Sequence, residues 1–259
     1  DLELVGSVSL SEIYDYLIFL SRERQLNTAS LARKIAAIRS FYRYLTSKAH
    51  LLEENPVQEL DSPRMKKTLP RYLTLEESLA LLDAVQGKNK ERDYCILMLF
   101  LNCGLRISEL VNLNVSDIQG DTIRVLGKGN KERILYLNDG CKAALESYLT
   151  VRAMLSLQHE PALFVSNRRT RITRAGVHKM VKKYLLTAGL DASKYSAHKL
   201  RHTAATLMLQ NGVDVRTLQE VLGHDHLNTT QIYTHISSDD LKIAAKANPL
   251  ADARQKKGS

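Results

Sequence analysis

The stretch LGHDHLNTTQIYTH, residues 222–235, brings His224, His226, His235 and Tyr233 close together. A tyrosine hydroxyl titrates near pH ~10 in water, so a nucleophilic Tyr233 needs help to lose its proton and partners to steady a negatively charged target. Such partners are cationic, and three other places supply them. Arg106 lies in CGLRISEL, Lys128 in GKGNKER, and His198 and Arg201 in SAHKLRH. The last two are three apart, hence on one helical face. Each signal alone is weak, because an arginine after a glycine usually makes a surface ion pair and a lysine in a turn usually serves solubility. The competing use of the histidines is zinc, through His224, His226 and His235, but no fourth ligand or cysteine cluster accompanies them. Metal-assisted phosphoryl chemistry wants converging carboxylates, and Glu109, Asp117 and Asp225 form no recognisable set of that kind. We therefore expect neither a metal nor a cofactor.

These residues need a frame that brings them together. Leu31, Ile35, Ile38, Tyr42 and Leu45 recur at three- and four-residue steps, predicting a helix over 28–47 behind another at 9–21. Asn55-Pro56 breaks that pattern. The stretch 62–73 carries prolines and basic residues without periodicity and reads as a basic linker. Thr74 then opens a helix, with Glu77 as its capping-box partner. A long apolar helix over about 91–103 ends at Gly104. Residues 121–138 alternate around a Gly-Lys-Gly-Asn turn and predict a β-hairpin, to which ALFVS (162–166) could add a third strand. Helices follow at about 173–188, 198–211, 214–222, 228–235 and 238–247. The fold class is mainly α with a small antiparallel sheet. A small helical domain spans 1–61 and a larger one 74–259.

The formal charge of +9 makes a polyanion the natural partner. Its distribution sharpens this, for no acidic residue falls between Glu23 and Glu53 or between Glu160 and Asp191, while Lys and Arg accumulate in both tracts. Solvated helix faces explain a charge run, but not the missing acids; phosphate neutralisation explains both. Cys95, Cys103 and Cys141 sit in apolar stretches and read as buried free thiols of a reducing compartment, making the cytoplasm the expected location. No apolar run approaches the ~18 residues of a membrane span.

The order of the motifs says more than any one of them. Arginine, a hairpin lysine, His-x-x-Arg-His, Leu-Gly-His and a tyrosine nine residues later closely resemble the tyrosine recombinase (phage integrase) family, with GKGNKER and TTQIYTH most like its Xer-type branch. The resemblance runs over nearly the whole chain, with the small domain expected to start after the helix with which family members usually begin. It implies a core-binding (SAM-like) domain ahead of a catalytic domain of the DNA breaking-rejoining fold, and catalytic roles for Arg106, Lys128, His198, Arg201, His224 and Tyr233. His202, His226 and His235 fall on no catalytic position of the family. The implied reaction is site-specific recombination through a 3′-phosphotyrosine, without metal or ATP, for chromosome dimer resolution or mobile-element movement. The implied partners are duplex DNA with two inverted arms around a short spacer, and a tetramer on paired sites joined through helix 238–247. Arg39, Arg43, Lys131, Arg133, Arg174 and His178 are the candidate DNA contacts. The same chemistry would serve type IB topoisomerase-like relaxation. An architectural DNA-binding protein would share the fold but has no use for Tyr233.

Overall fold

The computed structural model describes residues 2–63, 71–127, 131–155, 157, 160–223 and 238–254. The chain divides into two compact units, Asp1–Leu69 and Pro70–Ser259.

In the first unit a short helix α1 (Leu2–Gly6), without a counterpart in the sequence periodicity, precedes α2 (Leu10–Arg22) and α3 (Thr28–Ser47). Ser9 and Glu12 close a reciprocal capping box at the start of α2, and Asn27 accepts the Ser30 N–H to start α3. The expected apolar stripe of α3 faces inward. Ile35, Tyr42 and Leu45 are buried with Leu17, Leu20, Val57 and Leu60, and Leu31 and Ile38 pack against them. Tyr42 donates its hydroxyl to the Val5 carbonyl at 3.0 Å, tying the residues of α1 to α3.

The second unit is built around α5 (Lys90–Cys103), whose residues from Asp93 onward are all buried. A helix buried on every side shows little amphipathic pattern, and it needs cover all round. That cover includes α4 (Leu75–Asp83), α7 (Asp139–Ala153) and α9 (Ala197–Gln210). Leu73, placed by the sequence reading in the linker, is fully buried here and donates its N–H to the Thr203 hydroxyl. Gly104 takes a left-handed conformation, φ 58°, and stops α5 where expected.

The hairpin forms from β2 (Thr122–Leu126) and β3 (Glu132–Tyr136), with Val125 opposite Arg133. The third strand is β1 (Ile118–Gln119) rather than 162–166. Residues 162–165 are buried, but they make only the isolated bridges Asn114–Ala162 and Val165–Arg171. Side chains take up their backbone groups instead. Arg152 donates to the carbonyls of Glu160, Ala162 and Leu163, while the Tyr148 hydroxyl donates to Leu163 and accepts from Val165. The segment thus satisfies its polar groups without a ladder.

The remaining helices are α6 (Ile107–Asn112), α8 (Arg174–Thr187), α10 (Val215–Leu222) and α11 (Ser238–Lys246). The helix expected at 228–235 lies outside the described residues. The last helix, expected to reach a neighbouring subunit, lies on its own chain against α10 and β3. Asn138 donates to the Ala245 carbonyl, and Asn248 beyond the helix donates to Leu101. All three cysteines are buried and free, and burial pushes the Cys95 thiol well above its usual range. No described helix is long and apolar enough to cross a membrane.

Candidate active site

The left-handed turn at Gly104 delivers the chain to Arg106, which caps the start of α6. Three residues on, the carboxylate of Glu109 folds back to accept the Arg106 backbone N–H at 2.8 Å and its Nη1 at 2.8 Å. Arg133 reaches the same carboxylate from β3 with a two-pronged contact, Nη1 to Oε1 and Nη2 to Oε2, both at 2.9 Å. Arg201, on α9, brings its Nη1 to 4.0 Å from Glu109 Oε2. Three guanidiniums therefore surround one buried carboxylate.

The same three arginines each hold one carbonyl at the end of α10. Arg133 Nε donates to Val221, Arg201 Nη2 to Leu222 and Arg106 Nη2 to Gly223, at 3.2, 2.7 and 3.0 Å. Arg201 also grips the Gly104 carbonyl at 2.6 Å. The last carbonyls of a helix have no partner within it and carry its partial negative charge, so cations are their natural caps. Two glycines make the approach possible. A Cβ at Gly104 would stand 2.5 Å from a Leu222 methyl, and one at Gly223, φ 63°, would meet the Arg133 side chain at 3.0 Å.

Charge follows geometry. Burial would raise the Glu109 carboxyl, but the Arg133 guanidinium and the Arg106 contacts outweigh it and hold the group below the usual carboxylate range. Burial brings Arg201 down to about 10, helped by the positive Arg106 and opposed by Glu109. It stays charged at neutral pH. Three cations against one anion leave the cluster with two net positive charges. A guanidinium has five N–H donors. The described contacts occupy two donors on Arg106 and two on Arg201.

Of the six residues implied by resemblance, the structure thus brings Arg106 and Arg201 together. His198 stands one turn before Arg201, exposed, with its ring edge-on to His202 at 5.4 Å between centroids. Burial and then the neighbouring His198, Lys199 and Arg201 charges lower the His202 pKa. Lys128, His224 and Tyr233 lie outside the described residues, as do His226 and His235 of the zinc alternative. Among the described residues no group of three or more His, Cys, Asp or Glu could hold a metal ion.

The candidate DNA contacts separate in a similar way. Arg39 is half-buried and Arg43 exposed, one turn apart on α3; Lys131 is exposed; Arg174 and His178 are exposed one turn apart on α8. Arg133 is different. Its guanidinium is turned inward and engaged through all three nitrogens, because the nearest acceptors are a buried carboxylate and an uncapped helix end. Arg171, in the second basic tract, is also committed inward, to the Val111 and Leu113 carbonyls and the Asn114 amide. Sequence reasoning passed over Glu109 because it sought carboxylates as metal ligands. Its position three residues after Arg106, within reach of that arginine on a helix, was the available signal.

A mainly helical unit thus gathers Arg106 and Arg201 around one buried carboxylate at the end of α10. The chain belongs to the phage integrase family: the family model described as "Phage integrase family" matches residues 71–239, and "Phage integrase, N-terminal SAM-like domain" matches residues 4–49. Within it the chain is a Xer-like tyrosine recombinase. It is 52% identical to the tyrosine recombinase XerC of Caldanaerobacter subterraneus subsp. tengcongensis, over 97% of this chain and 71% of that protein. Identity to the tyrosine recombinase XerD of Halalkalibacterium halodurans is 37%, over 95% and 83%. Among solved structures it is similar to the XerA recombinase, at 34% identity and TM-score 0.58 over 92% of this chain and 82% of that one. It is also similar to the XerH site-specific recombinase bound to palindromic difH substrate in a post-cleavage complex, at 25% identity and TM-score 0.69 over 93% and 70%.

Proposed function

We propose that this chain exchanges DNA strands between two paired sites, with Tyr233 as the nucleophile. The observation that carries the reading is the net dipositive cluster of Arg106, Arg133, Arg201 and Glu109 at the end of α10, one residue before His224. A phosphodiester carries one negative charge and gains a second on its non-bridging oxygens as a nucleophile adds. A preorganised +2 site therefore favours the transition state over the ground state. Arg106 and Arg201 hold those oxygens through the N–H groups that the protein contacts leave over.

In the cleavage step the Tyr233 oxygen bonds to phosphorus as the bond to the 5′ oxygen breaks. The tyrosine proton leaves to a base, for which His198 is the candidate, and the 5′ oxygen takes a proton from Lys128. His224 donates to a phosphate oxygen. The products are a 3′-phosphotyrosine and a free 5′-hydroxyl. Attack by the 5′-hydroxyl of a partner strand reverses the step, trading one phosphodiester for another of similar energy, so no ATP is consumed.

The acid-free basic faces at Arg39/Arg43 and Arg174/His178, with Lys131, are the proposed backbone contacts on duplex DNA with inverted arms. A tetramer joined through 238–247 would require α11 to leave its seat on its own chain or to receive a partner on its outer face, where Ile243 is exposed. The buried free thiols suit the cytoplasm.

Nicked duplexes tiled across the genomic neighbourhood, incubated with the protein in EDTA and then denatured, test the reading. A protein–DNA adduct formed by the wild type and lost in Tyr233→Phe is expected. Tight binding without an adduct on any duplex would favour an architectural DNA-binding protein. Relaxation of supercoiled DNA without exchange between sites would favour the topoisomerase-like alternative.

A further inference from the structure

The chemistry proposed above leaves Arg133 without a task. It closes the GKGNKER motif but is none of the six catalytic candidates, yet its side chain makes more hydrogen bonds in the cluster than that of Arg106 or Arg201. Its three nitrogens hold both oxygens of Glu109 and the Val221 carbonyl, which joins β3 to α6 and to the last turn of α10. Those partners lie 24 and 88 residues away in sequence. Its side chain, from Cδ to the guanidinium, is the surface against which a Cβ at Gly223 would press.

We infer that Arg133 is a positioning residue that sets the aim of Arg106 and Arg201 by fixing Glu109 and the end of α10 together. This rests on the recombinase reading above. The geometry leaves little slack. Glu109 accepts from Arg106 with both oxygens, one from the backbone and one from the side chain, so rotation of the carboxylate turns the Arg106 guanidinium with it. The Arg106 backbone N–H pins only Oε2, and the partner it gives Oε1 is the very side chain to be aimed. The paired Arg133 contact does, since a planar fork on a planar carboxylate permits one relative orientation. On its other edge, Arg133 holds the Val221 carbonyl beside the Leu222 and Gly223 carbonyls that receive Arg201 and Arg106. A shift of the α10 end moves the inner anchors of both catalytic arginines, and displacements near 1 Å can cost about 100-fold in rate. Lysine keeps the charge but is a point donor on a flexible stem and cannot reproduce the fork.

The inference separates from the alternative that Arg133 touches phosphate. A phosphate contact contributes to affinity and to its salt dependence, roughly one unit of slope per contact. A positioning residue leaves both alone and changes the rate. It also predicts which chemistry suffers. Replacing a non-bridging oxygen of the scissile phosphate by methyl removes the charge that the two arginines answer, so their aim matters less. A general folding defect slows both substrates alike.

The test uses the full chain, as wild type, R133M and R133K, on a nicked duplex carrying the site found by covalent capture, with phosphodiester or methylphosphonate at the scissile position. We expect R133M to form adduct about 100-fold more slowly and R133K about 10-fold more slowly on the phosphodiester. On the methylphosphonate both should fall within about threefold of wild type, and DNA affinity within about twofold. Equal slowing on both substrates, full activity of R133K, or a lost salt-slope unit with an unchanged rate would each overturn the inference. Amide hydrogen exchange without DNA gives an independent readout. R133M should speed exchange at the Gly223 amide, which bonds back into α10, while leaving the middle of α5 unchanged; unchanged Gly223 exchange overturns the clamp. If wild type forms no adduct while R133M still loosens Gly223, the clamp stands as structure but the recombinase reading and the catalytic role fail together.

Discussion

Arg152 and Arg171 grip backbone carbonyls as closely as Arg106 and Arg201 do, yet the two sets belong to different kinds of region. Arg152 donates to three carbonyls of a ladder-free segment, at Glu160, Ala162 and Leu163, and Arg171 to Val111, Leu113 and Asn114. Their acceptors are carbonyls and one amide, and the result is a fixed loop. Arg106 and Arg201 cap the end of a helix, but they are gathered by Glu109 and keep donors to spare. Taking up a carbonyl is therefore not what marks a functional arginine. Under the proposed function, what marks one is a shared buried counter-ion that holds several cations together while leaving their charge in excess.

That comparison breaks most sharply at Arg201. Arg201→Lys keeps the charge but cannot hold Gly104 and Leu222 while facing a phosphate. Adduct formation should fall by roughly 100- to 1000-fold with DNA binding retained. Arg152→Ala should do the reverse. It strands the Glu160 and Ala162 carbonyls, while Leu163 keeps the Tyr148 hydroxyl, so unfolding should cost about 2–4 kcal/mol less, while the folded fraction cleaves at the wild-type rate. Denaturant melts and burst-phase cleavage on the two variants check both halves. Equal loss of stability and activity in each would erase the distinction.

How much of this was legible in the sequence follows from the reach of each interaction. Helices α2, α3, α5, α8, α9 and α10 were visible because periodicity, caps and the Gly104 stop are local signals. So was the hairpin. Arg106 and Arg201 could be picked out by motif, but their convergence on Glu109 could not, since it depends on contacts such as Arg133–Glu109 and Arg201–Leu222 that span the fold. The error at 162–166 has the same origin. An apolar, β-favouring run resembles a strand until Arg152 and Tyr148 arrive to take its hydrogen bonds. Arg133 was assigned to DNA by its place beside the turn, where the buried acceptor that turns it inward is invisible.

Glu109 offers a gentler way to sharpen the comparison. Glu109→Gln keeps the shape but removes the charge that gathers the arginines, and should cost about 1–3 kcal/mol at neutral pH. The sign of its pH dependence is fixed by the lowered carboxyl. An ionised group with a depressed pKa stabilises fully above its unfolded value of 4.5, and that contribution drains away as pH falls through the lower folded value. The gap between wild type and Glu109→Gln in urea melts should thus be widest near neutrality and narrow below about pH 4.5. A gap that widens in acid would mean that the carboxylate is not what holds the cluster.

The smallest effect belongs to Arg174, which is exposed at the first turn of α8 and lies outside both sets of gripped carbonyls. Arg174→Ala should leave stability within about 0.5 kcal/mol, since nothing buried depends on it. Its contribution, if it faces phosphate, appears only in binding: a uniform weakening across DNA sequences and a salt slope reduced by about one. If it reads a base edge instead, the loss concentrates on one position of the site, at about 1–3 kcal/mol for that base, and the slope holds. Titrations on the captured site and its single-base variants at several salt concentrations distinguish the two. An unchanged slope with unchanged discrimination would remove α8 from the DNA face, and the acid-free run from Glu160 to Asp191 would then owe part of its positive charge to loop-fixing arginines such as Arg171.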